Sequence, residues 1–279
     1  MRLARFKTGN GYEIFASHGD SWISLSGIEG YATPTRLGDL LDPTRLSELS
    51  ALLGSLQDVE YADIHLDQAA TVVDTGDVWG AGLNYKGHSE DLNTRQPSSG
   101  PGSYLRPSSC LIGNGQEIEL PTQSKRVTAE AELGLVIGTE CKNVPRDEWR
   151  SVVAGVTSVL DLTAEDVIRE NPRYIPWAKG FDTFCSVGPQ IVSLGEFDDA
   201  KLQSIQVSTI LNGETVASAP LADMKYDLGF LVEYFTAGRT FSPGTVICTG
   251  TPGAAVINPG DSIVSVVEGI GVLSHTVKG

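Results

Sequence analysis

Three acids and a histidine carry the chemistry that can be read first in this chain of 279 residues. In Ala129-Glu130-Ala131-Glu132-Leu133-Gly134-Leu135-Val136-Ile137, two glutamates stand two positions apart in an otherwise apolar run. On a strand, alternate side chains share a face, so Glu130 and Glu132 point the same way with α-carbons roughly 6.6–6.8 Å apart. Side chains as long as glutamate can converge from that spacing onto one cation. A solvent-facing strand edge would show the same spacing. Beyond Glu132, however, the same face continues as Gly134 and Val136, so the strand reads as buried. Buried glutamates need a metal or arginine partners, because an unpaired buried charge is very costly. A third acid, Asp161, ends the apolar run 152–160, just before Thr163-Ala164-Glu165-Asp166 opens a short helix. Helix capping is the competing reading for Asp161. Three hard oxygen donors without His or Cys suit Mg²⁺ or Mn²⁺, with Ca²⁺ as a further candidate, and do not suit Zn²⁺.

The histidine is His88, in Gly82-Leu83-Asn84-Tyr85-Lys86-Gly87-His88-Ser89-Glu90-Asp91. A strand ends at Leu83, and a helical turn places Asp91 on the same face as His88. A carboxylate there orients the imidazole and stabilises its charged form, as a general base requires. A histidine ahead of a polar loop is also an ordinary surface feature. His18, His65 and His275 lie in segments with no other catalytic feature. The stretch 93–102, rich in Ser, Pro and Gly, is too polar to pack and reads as a lid beside His88.

The elements that must position these groups are mostly strands. Residues 1–33 read as short strands separated by Gly-rich turns. Asp42-Pro43 supplies an N-cap and a first-turn proline for a helix carrying Leu46, Leu49, Leu52, Leu53 and Leu56. Residues 1–70 are therefore expected to form a small N-terminal α+β domain, with 62–75 as connector and 71–279 as the catalytic domain. Asn114-Gly115 and Asn212-Gly213, each between apolar runs, predict hairpins. The clearest later helix runs from Asp227 to Phe235 and is stopped by Gly238. Many strands and few helices give an α+β, strand-rich class: an irregular β-roll or sandwich, not a doubly wound sheet.

The formal net charge is −15. Such a surface repels nucleic acid and anionic membrane, so neither is an expected partner. If the substrate is an anion, the site must build local positive potential from a metal, Lys or Arg. No apolar run approaches the roughly 20 residues of a membrane span. The start of the chain lacks a secretory signal, and Cys110, Cys141, Cys185 and Cys248 are widely separated, which together point to a reducing cytoplasm.

Taken in order, several motifs resemble the fumarylacetoacetate hydrolase family. They are Gly82-Leu83-Asn84-Tyr85 with His88, Glu130-x-Glu132, Asp161, and Trp177-Ala178-Lys179-Gly180-Phe181-Asp182 with Gly188-Pro189. Asn212-Gly213-Glu214, Asp223-Met224, Thr249-Gly250-Thr251-Pro252-Gly253 and Pro259-Gly260-Asp261 follow. The resemblance covers about Val78 to the C-terminus. It implies that fold, a homodimer, and a small anionic oxo acid as substrate. It also implies that Glu130, Glu132 and Asp161 bind Mg²⁺ or Mn²⁺, that Lys179 is an active-site lysine, and that His88 with Asp91 activates water. Tyr85, Tyr104, Arg106 and Thr251 are the expected substrate contacts. The implied reaction is hydrolysis of a carbon–carbon bond in an acylpyruvate-type diketo acid. Decarboxylation or tautomerisation of a 2-oxo or hydroxydienoic diacid is the alternative, and a ligand-binding member without turnover the third reading. The chain departs from the family's usual residues at Leu160, Glu165, Arg106, Ala217 and Leu221, and its segment between Pro252 and Pro259 is short. These departures touch substrate recognition and leave the acid triad intact.

Overall fold

The computed structural model describes residues 1–9, 11–31, 36–57, 60–91, 96 and 98–279, and at 88, 90 and 91 the backbone alone. Among the described residues the strands are β1 (Arg2–Thr8), β2 (Gly11–His18), β3 (Ser21–Ser24), β4 (Val78–Gly82), β5 (Gly102–Arg106), β6 (Leu111–Ile112), β7 (Ile118–Glu119) and β8 (Val127–Ile137). They continue with β9 (Val153–Ala164), β10 (Cys185–Ser193), β11 (Gln206–Leu211), β12 (Glu214–Pro220), β13 (Val246–Cys248), β14 (Ala254–Ile257), β15 (Ser262–Val267) and β16 (Gly271–Lys278). The larger sheet runs β3-β2-β1-β10-β9-β8-β13-β4-β5, with β14 also on β8 and β6 also on β10. The smaller one runs β12-β11-β15-β16-β7 and packs over β8, β9 and β10. The strand-rich α+β reading therefore holds.

β8 and β9 are buried along their whole length. This explains their near-continuous apolar sequence, since a strand covered on both faces loses the polar alternation of a half-exposed one. Apolar residues of β8 (Leu133, Leu135, Ile137) pack with Leu231, Val232 and Phe235 of the helix Leu228–Thr236. That helix is capped by Asp227, which accepts from the Phe230 amide at 2.8 Å, as its sequence indicates. The helix Pro43–Ser55 likewise begins on Asp42 and buries Leu46, Leu49 and Leu53.

Two local expectations meet different outcomes. Asn212-Gly213 joins β11 to β12 as a tight hairpin, both residues at positive φ. Asn114-Gly115 turns too, with Gly115 at φ +77°, but β6 and β7 do not pair with each other. β6 joins β10 and β7 joins β16, while the Asn114 amide donates to the Leu66 and Val272 carbonyls, each at 3.0 Å.

The first 70 residues do contribute strands and a helix, yet their strands extend the large sheet through Leu3 opposite Ile191. Their apolar side chains share one core with β8 to β10. The connector is pinned as well. Asp74 accepts from the Leu37 amide at 2.5 Å and the Gly38 amide at 3.3 Å, and lies 3.5 Å from Arg5 Nε. Among the described residues, no helix is long and apolar enough to cross a membrane.

Candidate active site

The pairing of β8 with β9 sets Glu130 directly opposite Asp161, and Glu132 follows two residues along the same strand. Residues facing each other across an antiparallel ladder bring their side chains close, so three acids from two strands meet on one face. Glu130, Glu132 and Asp161 are all buried, each with a carboxylate oxygen within 4.8 Å of the others.

On its other side, β8 changes partner. β13 covers Gly134 to Val136, and β14 covers Val127 to Glu130. The segment Thr249-Gly250-Thr251-Pro252-Gly253 spans the interval. There the Ala131 amide goes instead to Thr209 Oγ1 of the second sheet, at 3.0 Å. The Gly250 amide, free of ladder duty, donates to Glu132 Oε2 at 2.7 Å. Gly250 has φ +92°, and a Cβ on it would lie 2.8 Å from both the Ala81 carbonyl oxygen and Asn84 Cβ. Only glycine fits there without a shift.

Lys179 ends the short helix Ile175–Ala178, and its ammonium turns inward. It donates to Asp161 Oδ1 and to Thr163 Oγ1, both at 2.7 Å, and lies 3.8 Å from Glu130 Oε2. Arg106 donates to Asp161 from the far side and to the Leu162 carbonyl at 2.8 Å. Tyr104 donates its hydroxyl to the other Asp161 oxygen. Its ring lies across Gly80, directly opposite on β4, where any side chain would collide with it. Burial drives Glu132 up to about 8, with the neighbouring Glu130 carboxylate adding to the rise against the pull of Lys179. Burial also lowers Lys179 below its ordinary value; Arg106 pushes the same way, against the pull of Glu130 and Glu132.

Glu130, Glu132, Thr163, Lys179 and Gly250 form the floor of a cavity of about 380 Å³, which Tyr104 and Thr251 also line, while Asp161 is fully buried and does not line it. Of the expected substrate contacts, Tyr104 and Thr251 thus face the cavity. Arg106 and Tyr85 do not line it: Arg106 is enclosed behind Asp161 with no side-chain exposure. Tyr85 is buried, its hydroxyl lacks a hydrogen-bond partner among the described residues, and burial beside Glu132 pushes its pKa up. Arg106 is thus placed to hold the Asp161 carboxylate.

The side chains of His88 and Asp91 lie outside the described residues. Their backbone forms the helix Lys86–Asp91, and Gly87 of that helix faces the Pro252 carbonyl. The strand end before it is anchored by Asn84, which donates to the Tyr226 and Thr249 carbonyls at 3.0 and 2.8 Å and accepts from the Tyr226 amide at 2.8 Å. Of the stretch 93–102 read as a lid, residues 93–95 and 97 lie outside the described residues; Gln96 donates to the Leu83 carbonyl at 3.3 Å and the Gly100 amide to the Tyr226 hydroxyl at 3.1 Å. Ala217 and Leu221 lie away from the cavity, whereas Glu165 lines it.

Three features escaped the sequence reading: Thr163 under Lys179, the Gly250 amide on Glu132, and Arg106 behind Asp161. Thr163 could have been found, since it follows Asp161 by two on one strand and must share its face. The other two depend on long-range placement and leave no local signal.

The donor set fits a divalent metal. Three oxygen ligands converge, and the buried charges are three carboxylates against one ammonium and one guanidinium, so the ionised cluster is one positive charge short. Gly250→Ala should weaken Mn²⁺ binding by about 10–100-fold, the usual effect of losing a group that orients a ligand. Titration of Mn²⁺ into the purified variant checks this; unchanged affinity would mean the Gly250 amide does not position Glu132.

Residues 77–278 match the family model described as fumarylacetoacetate (FAA) hydrolase C-terminal. The chain is 29% identical over 245 residues to the maleylpyruvate hydrolase of Aquipseudomonas alcaligenes, covering 84% of this chain and 82% of that one. It is similar to the crystal structure of 5-carboxymethyl-2-hydroxymuconate delta-isomerase from Mycobacterium smegmatis, with TM-score 0.76, 29% identity, and 100% and 98% of the two chains covered. It is similar also to maleylpyruvate hydrolase from Sphingobium sp. SYK-6 in complex with manganese (II) and pyruvate, with TM-score 0.78, 27% identity, and 100% and 99% covered. Since the family model spans most of the sequence, including every acid of the buried cluster and Lys179, the chain belongs to the fumarylacetoacetate hydrolase family of enzymes.

Proposed function

We propose that this protein hydrolyses a carbon–carbon bond in a small acylpyruvate-type diketo acid, using Mg²⁺ or Mn²⁺ held by Glu130, Glu132 and Asp161. The observation that carries this reading is the buried acid cluster with Lys179 beside it, of which Glu130, Glu132 and Lys179 line one cavity. A bound divalent ion would supply Lewis-acid polarisation of the oxo-carboxylate end. Lys179 offers positive charge to a developing oxyanion, and the dry surroundings strengthen that interaction. Tyr104 and Arg106 hold Asp161 in place, and the Gly250 amide does the same for Glu132. His88, oriented by Asp91, takes a proton from water as the water oxygen adds to the distal carbonyl. The carbon–carbon bond then breaks, its electron pair staying on the pyruvate carbon, which takes up a proton. The products are a carboxylate and pyruvate. Positive charge on Lys179 also answers the need for local attraction in a chain of net charge −15.

The alternative is decarboxylation or tautomerisation of a related 2-oxo or hydroxydienoic diacid in the same site. Asp91 favours it, being a shorter partner for His88 than the glutamate more usual in the family, and so does the isomerase among the similar structures. Product analysis with Mn²⁺ present separates the readings. Pyruvate and a second acid in equal amounts are expected from an acylpyruvate. Carbon dioxide or an isomer alone would establish the alternative, and no turnover of any such acid would leave a ligand-binding role.

A further inference from the structure

Above the acidic floor the cavity changes character. Its upper wall comes from the helix Glu165–Glu170 and the turns after it. Glu165, Ile168, Arg169 and Pro172 fall at helical spacing and all line the cavity, joined by Ile175 and Leu83. Ile168 and Ile175 are half-buried, so each keeps apolar surface that a ligand could cover.

Among the described residues, Lys179 and Arg169 are the cations that line this space. Lys179 belongs to the floor. Arg169 is already engaged: its Nε and Nη2 both donate to Glu165 Oε1, at 2.7 and 2.5 Å. Glu165 Oε2 accepts from Arg126 Nε at 2.5 Å. The rim therefore presents an ion-pair cluster in which the Glu165 carboxylate is shared between two guanidiniums. A second carboxylate on the substrate would have to share Arg169 with Glu165 and would give up its water against Ile168, Ile175 and Leu83. An apolar group there would meet Ile168, Ile175 and Leu83 and lose only water.

We infer that the substrate carries an uncharged, apolar group at its distal end, so that the protein selects acylpyruvates with alkyl or aryl tails over diacids. The inference rests on the reading of the floor as the site that holds an oxo acid. The cavity of about 380 Å³ suits such a molecule. At about 30 Å³ per water-sized group, it holds on the order of a dozen.

The experiment is calorimetric titration of the Mn²⁺-loaded protein with unreactive 2-oxo acids: pyruvate, 2-oxobutanoate, 2-oxopentanoate, 2-oxohexanoate and the diacid 2-oxoglutarate. Binding should tighten about fourfold per methylene along the monoacid series. 2-Oxoglutarate should bind at least tenfold more weakly than 2-oxohexanoate. The double substitution Ile168→Ala with Ile175→Ala should flatten the chain-length dependence. A flat series in the unmodified protein, or tighter binding of the diacid, would overturn the inference while leaving the oxo-acid floor standing. If the diacid preference then disappeared in Arg169→Ala, Arg169 would be its recognition group. Failure of every acid, pyruvate included, to bind the Mn²⁺-loaded protein would overturn the reading of the floor itself.

Discussion

Glu130→Gln, Glu132→Gln and Asp161→Asn should each lower turnover of an acylpyruvate by about 10³-fold or more, and a chelator should abolish it reversibly. The magnitude follows from the role: Lewis-acid stabilisation is worth several kcal/mol, and each 1.4 kcal/mol is a factor of ten. The substitutions keep size and shape, so the buried strands β8 and β9 should stay folded, and circular dichroism provides the control. pH adds a second signature. A carboxyl must lose its proton before it ligates, and in the metal-free protein burial holds Glu132 protonated up to about pH 8. Mn²⁺ binding should therefore release a proton, and apparent affinity should rise with pH by up to tenfold per unit, levelling off above about 8. Affinity that is flat from pH 6 to 9 would show that no ligand carboxyl binds the metal with loss of a proton in that range. Full activity in exhaustively demetallated protein would remove the metal from the mechanism.

The second large effect concerns His88. If activated water is the attacking group, His88→Ala should cost about 10²–10⁴-fold on an acylpyruvate, the usual worth of a general base. Asp91→Asn should fall between wild type and His88→Ala, because it alters only the orientation and charge of the imidazole. Binding of oxalate should change little in both variants, since the floor around Lys179 stays whole. Decarboxylation needs no activated water. Turnover of oxaloacetate should therefore survive His88→Ala largely intact while Glu130→Gln and Lys179→Met remain severe. Equal losses on both substrates in His88→Ala would contradict the assignment of His88 to water activation alone.

How much of this was legible beforehand varies by residue, and for physical reasons. The Glu130–Glu132 pair and the burial of its strand follow from period-two alternation within ten residues. The capped helices at Asp42 and Asp227 follow from the orphan amides of a first turn. Such signals need only near neighbours. Lys179 is the opposite case. In its own segment it reads as a surface lysine, and only the family resemblance marked it. Its burial comes from a four-residue helix that aims it at Asp161 and Thr163, on a strand completed 15 residues earlier.

Asn212-Gly213 and Asn114-Gly115 draw the line between the two levels. Both dipeptides make turns, because Asn and Gly accept positive φ at little cost. Only the first makes a hairpin; after the second, β7 leaves to pair with β16, some 160 residues away. The same holds at the site. Sequence by itself determined which side chains could be ligands, which strand faces they share, and where turns and helix ends must fall. The tertiary structure alone decided that Glu130 faces Asp161, that the Gly250 amide reaches Glu132, and that Arg106 stands behind the acids instead of in the cavity. Those contacts depend on the register between strands far apart in the chain, and register is set by burying whole apolar faces together, not by any local run of residues.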